Sequence, residues 1–178
     1  MSSTRLSAMF SIALSAVTLG ACQTSSPNPM PTIGEVDLER FAGQWFVIAS
    51  IPTFLERDAY NAIEYYDAPV NGRIDTTFTF NKGSSDGPLR RYTPTAFVSE
   101  QSDAVWGMQF LWPFRAEYRI VHLDDDYQYT IIGRTARDYV WIMARQSDIS
   151  ASDYTRLVEE VASLGYDTGK LVRIPHAT

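Results

Sequence analysis

From Val36 onward the chain alternates short runs of apolar and β-branched residues with clusters of turn-forming ones. Eight runs have the length and period of pleated strands: residues 45–51, 61–66, 73–81, 91–99, 104–111, 116–123, 127–134 and 139–145. Asn71-Gly72 between the second and third is a strong hairpin signal, because both residues tolerate the positive φ of a tight turn. The other joints hold Gly83 to Gly87, Gln101-Ser102-Asp103, Trp112-Pro113-Phe114, Asp124-Asp125-Asp126 and Ala136-Arg137-Asp138. Residues 52–58 break the first strand and read as a longer loop with a helical turn.

One segment changes period. Ser150 offers an N-cap and Asp153 an acid in the first turn. Tyr154, Leu157, Val158, Val161 and Leu164 then share one helical face, and Gly165 supplies the stop. Such a stripe packs on the outside of a sheet. A short run at 171–174 is placed to add a strand beside the first. Before that first strand, Leu38 and Phe41 share one helical turn, and Gly43 allows the change of direction that brings Trp45 inside. Evenly spaced strands with tight turns predict an up-and-down barrel or a sandwich.

Composition narrows the classes. Aromatic residues are 13% of the 178-residue chain, so many large rings need housing. The formal charge is −6 with the basic residues scattered, which argues against a nucleic-acid footprint or a polybasic membrane patch. A single cysteine excludes an internal disulfide and any Cys-rich metal site.

That cysteine has a setting. Arg5 precedes an apolar stretch at 8–19 that is too short for a stable span, and Leu19-Gly20-Ala21-Cys22 follows. These residues resemble a bacterial lipobox, which implies removal of residues 1–21 and acylation of Cys22. Gln23 after the cysteine, rather than Asp, points by analogy with enterobacterial sorting to the outer membrane. The expected organisation is a signal peptide at 1–21, a lipidated Cys22 and Ser/Pro-rich linker at 22–35, a domain at 36–175 and a tail at 176–178.

Gly43-Gln44-Trp45 near the start, Asp126-Tyr127 between two late strands, and Arg145 closing the last one resemble the signature blocks of the lipocalins. The strings 36–49, 81–83 and 138–145 are similar to the bacterial outer-membrane lipocalins, relatives of apolipoprotein D and of plant temperature-induced lipocalins. Asp125 is a departure, since many lipocalins carry Thr before the Asp-Tyr pair. The resemblance implies an all-β, eight-stranded antiparallel up-and-down barrel with its C-terminal helix packed outside. It also implies that Arg145 stacks over Trp45 at the narrow end, with Gly43, Asp126 and Tyr127 as structural companions.

If Trp45 faces the lumen, strand alternation points Val47 and Ala49 inward; if Arg145 does, it points Tyr139, Trp141 and Met143 inward. The same logic turns Asn61, Ile63 and Tyr65 inward. Matching to the family adds Asn81, Trp106, Met108, Phe110, Tyr118, Ile120, Tyr129 and Ile131. This wall is apolar and aromatic, so the expected partner is a small amphipathic lipid, a fatty acid or lysophospholipid, with its head near the open mouth. The membrane is the second expected partner, through acylated Cys22, at the periplasmic face of the outer membrane.

No cofactor, metal or catalytic residue is assigned, and the oligomeric state is left open. His122 reads as a wall residue, His176 lies in the tail, and the acidic triplet at 124–126 reads as a solvated turn. Two other readings compete: a lipid-modifying enzyme on the same scaffold, and a structural envelope protein whose rings fill the barrel.

Overall fold

A computed structural model describes residues 30–177. A one-turn helix, α1 (Leu38–Phe41), leads into strand β1 (Gly43–Ile51). The strands β2 (Ala59–Tyr66), β3 (Arg73–Lys82), β4 (Leu89–Tyr92), β5 (Thr95–Ser99), β6 (Ser102–Leu111), β7 (Phe114–Leu123), β8 (Tyr129–Gly133) and β9 (Val140–Ala144) follow as an antiparallel meander. Helix α2 (Ala151–Ser163), a 3₁₀ turn (Thr168–Lys170) and strand β10 (Val172–Arg173) complete the domain. β9 pairs back onto β1, with Phe46 opposite Ala144 and Ile51 opposite Val140, so the sheet closes. The sandwich alternative is thereby removed.

The expected run at 91–99 is two strands. Thr93-Pro94 interrupts it, because proline cannot donate to the ladder; β4 and β5 pair in turn with β3. Counted as one, they give the barrel eight strands, with β10 lying outside against β1. That places the run at 171–174 where the pattern put it.

Two apolar layers result. One fills the barrel and includes Trp45, Tyr66, Phe80, Trp106 and Ile120; the other lies between the outer sheet face and α2. Ser150 caps α2 by accepting from the Asp153 N–H at 3.0 Å, and Leu157 and Val161 are fully buried beneath it. At its other end Gly165 takes φ +86°, and the Leu164 carbonyl accepts from Arg137 Nε at 2.8 Å.

The ladders are irregular at five places, of which those in β1, β2 and β7 bear on the expected wall. Ile48 is the extra residue of β1, so Val47 faces inward opposite Met143 while Ala49 faces outward opposite Ile142. In β7 an irregularity between Ile120 and His122 sets Ile120 against Ile132, leaving Ile131 beside His122 on the outer face. In β2 Asn61 takes φ +51° and donates its backbone N–H to Pro175 instead of the ladder.

Candidate functional site

The meander puts two kinds of turn at opposite ends. Residues 67–72, 100–101 and 124–128 lie at the end crossed by α1; residues 52–58, 83–88, 112–113 and 134–139 lie at the other.

The α1 end is closed by rings. Phe41 sits 5.1 Å from Trp45 and edge-on to Trp106 at 5.5 Å; Trp106 stacks on Tyr118 at 5.3 Å. The Tyr66 and Tyr118 hydroxyls hydrogen-bond to each other across the lumen. Trp45 donates its indole N–H to the Phe41 carbonyl at 2.8 Å, so burial leaves it satisfied. The Arg145 guanidinium lies 3.9 Å from the Trp45 ring centroid. It donates to the carbonyls of Gln44 (2.8 Å), Arg40 (2.8 Å), Phe41 (3.1 Å) and Ala42 (3.1 Å), which satisfies the end of α1. Tyr127, at φ +58°, contributes its carbonyl to Arg145 and its hydroxyl oxygen to the Asp37 N–H, and Arg40 stacks over its ring at 4.0 Å. Asp126 is exposed in the turn. Gly43 takes φ +95°, a conformation that L side chains rarely adopt, while a Cβ there would merely touch Arg145 Nη1 at 3.5 Å.

Above this floor lies a cavity of about 310 Å³ that opens at the other end. Of the expected wall residues, Val47, Met108, Phe110, Tyr118, Tyr139 and Trp141 line it. Trp106 and Ile120 are interior but belong to the packed floor. The remaining expectations are corrected. Ala49, displaced by the β1 bulge, and Tyr129 and Ile131, which pair with the outward Ala144 and Ile142, lie in the layer beneath α2, and Tyr129 donates to Asp153 at 3.3 Å. Ile63 and Tyr65 point outward, with Tyr65 46% exposed, because β2 pairs Glu64 with the inward Trp45. Asn61 and Asn81 hydrogen-bond each other at 3.0 Å and tie down the 83–88 turn through Ser85 and Gly87.

The β2 correction brings a carboxyl into the lumen. Glu64 and Glu56 both line the cavity, with Tyr66, Phe78 and Tyr92, which alternation had not turned inward, and Met143, which it had. Desolvation, then the charge of Glu56, pushes Glu64 up to about 8 despite a hydrogen bond from Thr76. At neutral pH it is therefore mostly an uncharged acid. Glu56 is also raised by burial, partly offset by the Trp141 indole N–H that donates to it at 3.0 Å. Burial raises Tyr66 and Tyr118 far above the usual phenol range, so both stay neutral. A carboxylate between Ile63 and Tyr65 looks like a solvent-facing residue, and only its pairing with Trp45 reveals it.

Neither histidine reaches the lumen. His122 pairs with Ile131 on the outer face, and burial lowers its pKa. His176, expected in a tail, bonds the Val47 carbonyl at 2.9 Å and packs edge-on against Phe46. Among the described residues no group of three His, Cys, Asp or Glu could hold a metal ion, and no helix is long and apolar enough to cross a membrane.

A closed eight-stranded barrel with a plugged floor and an apolar cup defines the class of proteins that bind small hydrophobic ligands. The chain belongs to the lipocalin family: the family model described as a lipocalin-like domain matches residues 36–176. It is 27% identical over 155 residues to temperature-induced lipocalin-1 of Arabidopsis thaliana, covering 83% of each chain. It is 27% identical over 154 residues to the outer membrane lipoprotein Blc of Citrobacter freundii, covering 83% of this chain and 85% of that one. Among solved structures, insecticyanin from the tobacco hornworm Manduca sexta superposes with TM-score 0.64 at 17% identity, over 85% of this chain and 86% of that one.

Proposed function

We propose that this lipocalin is anchored to the outer membrane through acylated Cys22 and carries a single-chain amphipathic lipid, a fatty acid or lysophospholipid, without chemical change. Cys22 and the signal peptide lie outside the described residues, and the anchor rests on the lipobox-like sequence. The likeness to relatives named outer membrane lipoprotein supports it.

The observation that carries the ligand reading is the cup itself. Its volume of about 310 Å³ stands at the small end of ligand cavities, roughly 300–1,000 Å³, which favours one acyl chain over two. Aromatic rings and methionines clothe the walls, and Glu64 at the bottom is largely neutral, so an alkyl tail can descend without meeting a full charge. The head then stays at the mouth, near Arg134, Tyr139 and Glu56. An open cup also disfavours a purely structural role for a filled barrel.

The direct test is mass spectrometry of the lipids that stay with the protein through purification. One-tailed lipids in stoichiometric amount are expected; only two-tailed phospholipids, or none, would contradict the reading.

A further inference from the structure

The large apolar side chains left exposed among the described residues gather mainly at the open end. Phe54 and Leu55 stand in the loop after β1, and Phe110, Leu111, Trp112 and Phe114 in the β6–β7 hairpin. Trp112 is 80% exposed and Phe114 73%. Water opposes such exposure, and a continuous apolar rim of this kind marks a surface that is covered in use. Three of these residues, Phe54, Leu55 and Phe110, also line the cavity, so the rim and the lumen are one continuous apolar surface.

Charge is distributed along the same axis. Over its turns the open end holds Arg57, Arg134 and Arg137 against Glu56, Asp58, Asp86 and Asp138, with Lys82, Arg90 and Arg115 on the adjoining strand ends. The turns at the closed end hold Asp67, Glu100, Asp124, Asp125 and Asp126. An anionic surface therefore repels the acidic floor more strongly than the mixed-charge mouth, which turns the mouth toward it.

The chain also enters at the mouth. Met30 donates its N–H to Thr135 Oγ1 at 3.3 Å, and its carbonyl accepts from Arg119 Nη1 at 3.2 Å. Its sulfur accepts from the Tyr166 hydroxyl at 3.6 Å beside Gly133, where a Cβ would come within 2.7 Å of the sulfur. Cys22 stands eight residues before this fixed point. Eight residues span at most about 26–29 Å when fully extended. A tether that short, starting beside the mouth, brings the mouth to whatever surface holds the cysteine.

We infer that the apolar rim docks on a phospholipid bilayer containing anionic lipid, so that the lumen opens directly onto the layer from which its ligand comes. The inference rests on the preceding reading only for the acylated Cys22; the rim and the charge axis stand apart from it. A single-chain lipid then passes between bilayer and lumen with its tail never fully exposed to water, where each CH₂ would cost about 0.8 kcal/mol.

The test uses the acylated protein, purified from membranes and reconstituted into vesicles of phosphatidylcholine and phosphatidylglycerol. The phosphatidylcholine carries bromine on acyl carbons near the headgroup, and a Trp112→Phe variant isolates the contribution of Trp112 to the emission. About a twofold quenching of that component is expected, since an interfacial apolar surface sits roughly 5–10 Å into the boundary. The double variant Leu111→Asp, Phe114→Asp should still sediment with the vesicles and lose the quenching. Acylated protein that sediments with Trp112 unquenched overturns the inference and leaves the anchor standing. So does Trp112 shielded in a concentration-dependent dimer, in which case a second copy covers the rim. If the protein does not sediment, the anchoring reading fails. The Cys22→Ser chain added to the same vesicles then decides the rim: quenching supports docking, and its absence overturns it.

Discussion

Glu64 is the residue whose charge state the fold changes across the neutral range. Its folded-state pKa is raised from 4.5 to about 8, so the native protein keeps a proton that the unfolded chain releases. Unfolding thus sheds protons between those values. The stabilising proton is fully bound below pH 4.5, and stability falls as pH rises from there through about 8. The slope amounts to a few kcal/mol at most, because the side chain opens on the cavity and about 1.4 kcal/mol accompanies each pKa unit. Glu64→Gln should flatten the decline; denaturant titrations of both proteins at pH 5 and pH 8.5 that show the same slope would refute this. A tail in the lumen desolvates Glu64 further, so lipid affinity should also weaken above pH 8 in the wild type and stay level in the variant. The floor makes a second residue-scale case. Trp45→Ala removes the ring between Phe41 and Arg145 and should cost about 3–5 kcal/mol by thermal unfolding. Arg145→Lys keeps the charge but not the fork that reaches five carbonyls, and should cost about 1–3 kcal/mol with lipid affinity unchanged. The Trp45–Arg145 pair was legible through the family signature. The lumen carboxyl was not, because hydropathy alone sends a glutamate outside.

Among the elements, α2 and the order of strands were readable from period and turn chemistry, whereas the facing of individual residues was not. Two physical reasons account for this. Bulges at Ile48, Asn61 and Val121 each shift the phase by one residue, and an apolar sequence does not announce them. The outer face under α2 is also apolar, so Ile131 and Ile132 look alike although one faces the helix and the other the lumen. The distinction has a functional consequence. Ile131→Ala and Leu157→Ala should each destabilise by about 2–4 kcal/mol while leaving lipid affinity within about twofold, because both lie on the helix side of the sheet. Loss of binding by a folded Ile131→Ala protein would mean that the assignment of faces is wrong.

For the whole molecule, the cup is sealed at one end and the chain enters beside the other, so the proposed acyl anchor at Cys22 would also set its orientation. Cys22→Ser should move the protein from the membrane to the soluble fraction; a variant that still sediments and resists a salt wash would exclude acyl anchoring. The reading of the lumen as a carrier follows from energies of ordinary size. About ten methylenes taken from water contribute roughly 8 kcal/mol, the size of a micromolar binding energy, and contacts of the head at the mouth must offset the ordering costs. The measurement that bears most directly on this is a titration of delipidated protein with a fatty acid and a lysophospholipid, followed through the emission of Trp141, which faces the cavity. Micromolar or tighter saturation is predicted for the wild type, and none for Met108→Trp, whose larger side chain fills the cup. Absence of binding below the critical micelle concentrations, or equal binding by the blocked variant, would contradict the account.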